Sequence, residues 1–422
     1  MSSLLAALGI LAGGYLLTYL VFDRLRRKFG YVGGAEYVLL GAFLGPAGSG
    51  LLDPAAVRDL APVASVALGW LGVLLGTRMR LRDWVDRPAE HLGVAMAEAG
   101  TTWVVAGGAS WLLLHHLLGW TGTQAVLPSL TLAAIAVAGA PQAIEALASR
   151  SAGTHPLWPL VRTVSLVDAV FGVVAFGVAT AALHLGTVQT GVRPPTATEW
   201  VAINVAVGLA SGVLFHLFLG PAARGLEHQV EQADAGDARL FISLAGAIII
   251  AAGAAYWLDL SPLFTTFLLG AVLGNSAQAH QRLEQLLART AQPVYLVLLI
   301  FAGAAWSRAA GPIWFWFAFV AIRLLARLIG GRVGGTATAD QALHSPWLGR
   351  ALLTQGGLGA AIALDYAQNP GAPGSALVLA AALLSVLLFD WVGARETVVI
   401  LGGRLSGEQR VVEPPALPEE GR

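Results

Sequence analysis

The chain has 422 residues, 56% of them hydrophobic and 12% charged, with a mean hydropathy of +0.69. Soluble domains carry about 25% charged residues, so this composition excludes an ordinary soluble protein and indicates an integral membrane protein. Lys and Arg together match Asp and Glu at 25 each, and there is no cysteine, so net charge carries no information and disulfides and thiolate metal sites are excluded.

Windows of ~20 apolar residues predict about thirteen spans. They lie near 3–22, 34–49, 61–78, 90–117, 125–148, 157–186, 199–222, 238–258, 262–276, 290–307, 312–335, 347–366 and 374–393. The first, Leu4 to Phe22, reads as a spanning helix and not a cleaved leader, because no basic residue precedes it and a basic cluster follows. Connections are short apart from Arg224 to Asp237, and the tail after Arg395 is too small for a domain, so no attached regulatory domain is expected.

Placement of Lys and Arg predicts the orientation. If Arg24, Arg26, Arg27 and Lys28 are cytoplasmic, the loops on the other side keep only Arg58, Arg193 and Arg308, with Arg162, Arg323 and Arg327 in or at the edge of spans. The N-terminus is then outside and the C-terminus cytoplasmic. The Trp residues fall toward span ends, as in Trp84, Trp120, Trp257 and Trp306, which suits an interfacial belt.

The chain also repeats itself. Leu39-Leu-Gly-Ala-Phe-Leu-Gly45 in the second span and Leu268-Leu-Gly-Ala-Val-Leu-Gly274 in the ninth differ only at Phe43 against Val272. An odd shift of seven spans reverses the direction of crossing, as an inverted-topology repeat requires. The repeat pairs the fifth span with the twelfth and the sixth with the thirteenth. The fifth is interrupted at Ala138-Gly139-Ala140-Pro141, where Pro removes a helix hydrogen bond. The twelfth carries Thr354-Gln355-Gly356-Gly357, where glycine permits unwinding. Two broken helices in corresponding positions point to a midplane site in a secondary transporter.

Asp168 stands alone among acids in the apolar run from Leu157 to Leu185. An ionised Asp at the hydrocarbon centre costs about 2.5 to 3.5 kcal/mol and normally faces a bundle interior or a wet cavity. A carboxylate kept there can trade a proton for a cation. No phosphate-binding glycine loop with a lysine, nucleophile elbow or HExxH pattern occurs, so an enzyme is not expected. His115, His116, His184 and His216 fall near span ends without partners at metal-ligand spacing.

Over nearly its whole length the chain resembles the cation:proton antiporter superfamily, in particular its bacterial sodium/proton exchanger branch. Tyr37 to Pro46 resembles that family's early Gly-Pro helix, Leu269 to Asn275 its partner, Leu166 to Gly172 the acidic helix, Arg323 to Gly334 the basic helix and Leu353 to Gly359 the second broken helix. The resemblance implies an all-α sodium/proton antiporter fold with two crossed discontinuous helices. It also implies a homodimer, with no cofactor and no nucleic-acid partner. The implied organisation is scaffold and dimerisation helices at 1–88 and 238–311, core helices with the ion site at 89–186 and 312–393, a linker at 187–237 and a short tail at 394–422.

By resemblance Asp168 is the ion- and proton-binding acid. Val167 replaces the family's first acid or amide, leaving one carboxylate and a simplest stoichiometry of one for one. Arg327 takes the place of a lysine found in electrogenic relatives, with Arg323 as a second candidate partner, and arginine does not titrate usefully. Gly139, Ala140 and Pro141 stand where the family has a hydroxyl-bearing motif, so backbone carbonyls there and at Thr354, Gln355, Gly356 and Gly357 are expected to line the ion site. Glu145 and Glu98 are the candidate access-path acids. The expected activity is exchange of a monovalent cation, Na+ or else K+ or Li+, for H+ across the cell membrane. A carrier of small organic anions, and a non-transporting membrane protein whose ion site has decayed, remain alternatives at this point.

Overall fold

A computed structural model describes residues 34–150, 155, 157–184, 195–226, 233–276, 280–307, 310–337, 347–369 and 371–401. The first predicted span, the cluster Arg24 to Lys28, Arg193, Arg308 and the tail beyond Leu401 lie outside the described residues. Among the described residues all regular structure is helical. Numbered from the first described helix, the elements are α1 (Ala35–Leu44), α2 (Pro54–Asp59), α3 (Ala61–Gly76), α4 (Leu81–Val85), α5 (Ala89–Leu112) with a π turn at Leu113–Leu117, α6 (Gly122–Val137), α7 (Pro141–Arg150) and α8 (Trp158–Ala182). There follow α9 (Ala197–Leu226), α10 (Ala233–Trp257), α11 (Pro262–Ser276), α12 (His280–Ala304), α13 (Ile313–Thr336), α14 (Leu348–Ala351), α15 (Leu358–Gln368) and α16 (Ser375–Ile400).

Each predicted span from the second to the thirteenth contains one of these helices or a pair of them. Among the described residues, seven segments are long and apolar enough by themselves to cross a bilayer. The others fall short for visible reasons. α1, α3 and α11 are short, the twelfth span is divided between α14 and α15, and α5 carries Glu90, His91, Glu98, Thr101 and Thr102.

Local chemistry sets the two interruptions. α6 starts on a capping box between Thr121 and Gln124 and ends at Val137, because Pro141 lacks an amide hydrogen and holds Ala140 out of the helical region. Pro141 then opens α7, where its missing donor costs nothing. Between α14 and α15, Gly356 has φ +59, a left-handed conformation that suits glycine, and Gly357 precedes the first turn of α15.

Inside a bilayer helices gain little from excluding water, so close approach of small residues does much of the packing. Two helix pairs show it in matching form. A Cβ on Gly41 of α1 would lie 2.0 Å from Ile300 O of α12, and one on Gly45 would lie 2.6 Å from Ala304 O. Likewise, a Cβ on Gly270 of α11 would lie 2.5 Å from Val73 O of α3, and one on Gly274 would lie 2.6 Å from Thr77 O. The contacts in the reverse direction match too, Gly303 meeting Val38 O and Gly76 meeting Phe267 O.

α8 is the most enclosed of the long helices, with α5, α6, α7, α9 and α11 against it, whereas α9 exposes most of its surface. α16 does the same service for the second interruption, lying against α13, α14 and α15. The far end of α15 is tied to two other helices. Ser261 Oγ and the Leu263 amide donate to Asp365 Oδ2 at 2.7 and 3.0 Å, and Ser65 Oγ donates to Gln368 Oε1 at 2.9 Å. Asp365 therefore sits at the N-terminus of α11, where unpaired amides and the helix dipole favour a negative charge.

Candidate ion site

The site is built where α5, α8 and α13 meet the α6–α7 break. Arg327 of α13 is fully buried, and each of its three nitrogens is hydrogen-bonded. Its Nη1 is 2.5 Å from Asp168 Oδ2 and 3.0 and 3.2 Å from the two carboxylate oxygens of Glu98. Its Nε donates to Ala136 O at 3.1 Å and its Nη2 donates to Val137 O. Those carbonyls are among the last of α6, which have no partner within the helix and mark its negative end. One guanidinium thus closes a half-helix and holds two acids.

Asp168 is fully buried on α8, with Oδ2 on Arg327 and Oδ1 without a hydrogen-bond partner. Ser165, one turn earlier on the same face, is also buried and its Oγ has no partner. Both converge on Gly139. A Cβ there would lie 2.6 Å from Ser165 O, 3.1 Å from Ser165 Oγ and 3.2 Å from the Asp168 Cβ, so only glycine lets the break approach α8. Asp168 Oδ1 and Ser165 Oγ are thus two buried oxygen atoms without partners beside an opened backbone, and oxygen is the ligand type a hard monovalent cation takes.

Glu98 corrects two expectations. It is fully buried in the ion pair with Arg327 and accepts from Thr102 Oγ1 at 2.9 Å, so it belongs to the centre and not to an access path. It also makes two carboxylates where the reading of α8 alone expected one. Glu145 is elsewhere: it pairs with Arg162 at 3.3 Å on the α7–α8 surface, each side chain about half exposed (54% and 43%). Val167 points into a separate apolar cluster with Ile144, Leu147 and Val164, so its side chain is packing and lies off the charged face.

The second break crosses the first. A Cβ on Gly356 would lie 2.9 Å from the Cβ of Ala140, and Gln355 Nε2 donates to Ile135 O of α6 at 3.2 Å. Arg323 is buried like Arg327 but holds different partners: Nη1 donates to Leu353 O at 3.1 Å, and the guanidinium stands 4.4 Å over the ring of Phe389. Asp168, for which Arg323 was the second candidate partner, is bonded to Arg327 instead. Thr354 Oγ1 is 3.3 Å from Thr397 Oγ1, and Gly357 donates its amide to Tyr295 Oη. Asp390 Oδ1 accepts the Gly356 amide at 2.7 Å.

Three of these roles were not legible in the sequence. Glu98 and Asp390 lie far along the chain from the groups they serve, and a serine three residues before an acid is a weak signal.

The family model described as "Sodium/hydrogen exchanger, transmembrane" matches residues 4–399. The chain belongs to the sodium/hydrogen exchanger family. No curated protein matches it. Two solved structures of the sodium proton antiporter MjNhaP1 from Methanocaldococcus jannaschii share its fold. For the structure at pH 8 the TM-score is 0.68 at 14% identity, covering 96% of this chain and 100% of that one. The electron-microscopy map gives 0.59 at 15% identity, covering 94% and 98%. In this chain the two breaks cross beside the buried Asp168, and Arg327 is paired with Glu98 as well as with Asp168.

Proposed function

We propose that the protein exchanges one sodium ion for one proton across the cell membrane, with Asp168 as the shared site. The observation that carries this reading is the division of Asp168: one oxygen on Arg327, the other unpartnered beside Ser165 and the α6–α7 break. A proton or a monovalent cation on that carboxylate neutralises it equally, so each excludes the other. Glu98 and Arg327 form a buried pair whose charges cancel, and arginine keeps its proton. Exchange of H+ for Na+ then leaves the charge of the site unchanged, so the cycle is electroneutral. The one-for-one arithmetic survives the second carboxylate because Arg327 balances it. The other monovalent cations, K+ and Li+, would compete at the same oxygens.

Full burial closes Asp168 to both faces in this state, so exchange requires displacement of one bundle against another. We assign residues 89–186 and 312–393 to the moving core, 1–88 and 238–311 to the scaffold and the interface of a homodimer, 187–237 to the linker and 394–422 to the tail. The matching glycine contacts of α1–α12 and α11–α3 support the inverted repeat beneath that division. The charge bias supports an outside N-terminus and a cytoplasmic C-terminus.

A small organic anion would meet Asp168 and Glu98 at the break, which disfavours the carrier reading. A decayed site is disfavoured by the intact cluster of Asp168, Glu98 and Arg327. Sodium-dependent proton flux in vesicles tests the proposal. Wild-type protein is expected to show it and Asp168→Asn to lose it; flux persisting in Asp168→Asn would refute the assignment.

A further inference from the structure

We propose that Asp390 is the positioning residue of the second break, holding Gly356 against Ala140 so that the two interruptions keep the crossing on which the ion site rests. This builds on the exchange reading above. The breaks are served alike. At the first, an arginine of α13 (Arg327) takes carbonyls of the preceding half-helix and an acid of the following long helix (Asp168) stands beside Gly139. At the second, the other arginine of α13 (Arg323) takes Leu353 O, and an acid of the following long helix (Asp390) accepts the Gly356 amide.

The difference between them assigns the roles. Asp168 keeps one oxygen unpartnered, and its arginine has a second acid to lean on. Asp390 spends its carboxylate on backbone at the start of α15, where the dipole and unpaired amides hold a negative charge. The bond fixes a glycine at φ +59, and that glycine is in contact with the first break. α16 reinforces it from either side of Asp390: Ser385 Oγ donates to Gln355 Oε1 at 2.7 Å, and Thr397 Oγ1 donates to Ala351 O at 2.8 Å. Gln355 carries the restraint onward to Ile135 O. Asp390 thus acts on the ion through the backbone, without touching it.

The test uses full-length Asp390→Asn and two readouts. Loss of a charge-assisted bond to backbone is expected to raise amide hydrogen exchange about tenfold across 354–358, and to raise the KM for sodium roughly tenfold with maximal flux within about threefold of wild type. Unchanged amide exchange at 354–358 in folded Asp390→Asn protein, or a wild-type KM, would overturn the proposal. So would faster exchange spread evenly through α15 and α16 with a lower melting temperature, which marks general loosening. If Asp390→Asn does not fold, Asp390→Glu decides. It keeps the charge but displaces the acceptor by one methylene, and smaller shifts of both readouts in the same direction are expected, with wild-type values for both overturning the idea. Wild-type vesicles without sodium-dependent proton flux would instead remove the exchange reading, and amide exchange, which needs no transport, would still settle what Asp390 does.

Discussion

Arg327 offers one nitrogen to two acids, and that sharing sets the terms on which a cation can enter. Under the proposed exchange, sodium on Asp168 would leave Arg327 its bonds to Glu98 and the α6 carbonyls, so no buried charge would be left alone. Stranding one would cost about 3–5 kcal/mol. Glu98→Gln removes this reserve and leaves Asp168 as the guanidinium's single carboxylate partner. The sodium KM is then expected to rise by about tenfold or more, measured in vesicles against the melting temperature of the same protein. A wild-type KM in Glu98→Gln would show that Glu98 does not share in the exchange. Asp168 was legible in the sequence because an isolated acid in an apolar run is expensive. Glu98 was legible only as a candidate access-path acid, because α5 carries other polar residues and an acid there looks like part of a wet face. Only the fold brings residues 98, 168 and 327 to one point.

At the scale of elements, the breaks were the clearest features to read. Pro141 and the Gly356-Gly357 pair are local causes that act wherever the chain places them. Helix length was less legible at α1, where the glycine-rich segment Gly45 to Gly50 carries the apolar run on past the last helical turn. The repeated Leu-Leu-Gly-Ala motif found its meaning in the packing: its glycines are the points at which α1 meets α12 and α11 meets α3. Gly270→Val would press a branched side chain onto the backbone at Val73. A destabilisation of about 1–3 kcal/mol is expected, read as a lower melting temperature in detergent. An unchanged melting temperature would show that the α3–α11 contact can part without cost.

For the whole molecule, the proposed electroneutral cycle makes a prediction that no single residue carries. Exchange in sealed vesicles is expected to run at the same rate with and without an imposed membrane voltage, since no net charge crosses per turnover. Each elementary charge moved would feel about 2.3 kcal/mol per 100 mV, so a voltage-driven rate would expose a second ion in the stoichiometry. The all-helical membrane fold was legible from the apolar spans, whereas the ties between helices were not, since Asp365, Ser261, Gln368 and Ser65 carry no mark in sequence that they meet.

Those ties bear on how the protein would move. α15 is anchored at its far end to the starts of α3 and α11, and at its near end to Tyr295 of α12 and Asp390 of α16. A rod held at both tips cannot swing while all its fastenings last. Any shift of α15 therefore begins with one set of fastenings letting go, and the crossing of the two breaks survives the shift only if those at the Asp365 tip yield first.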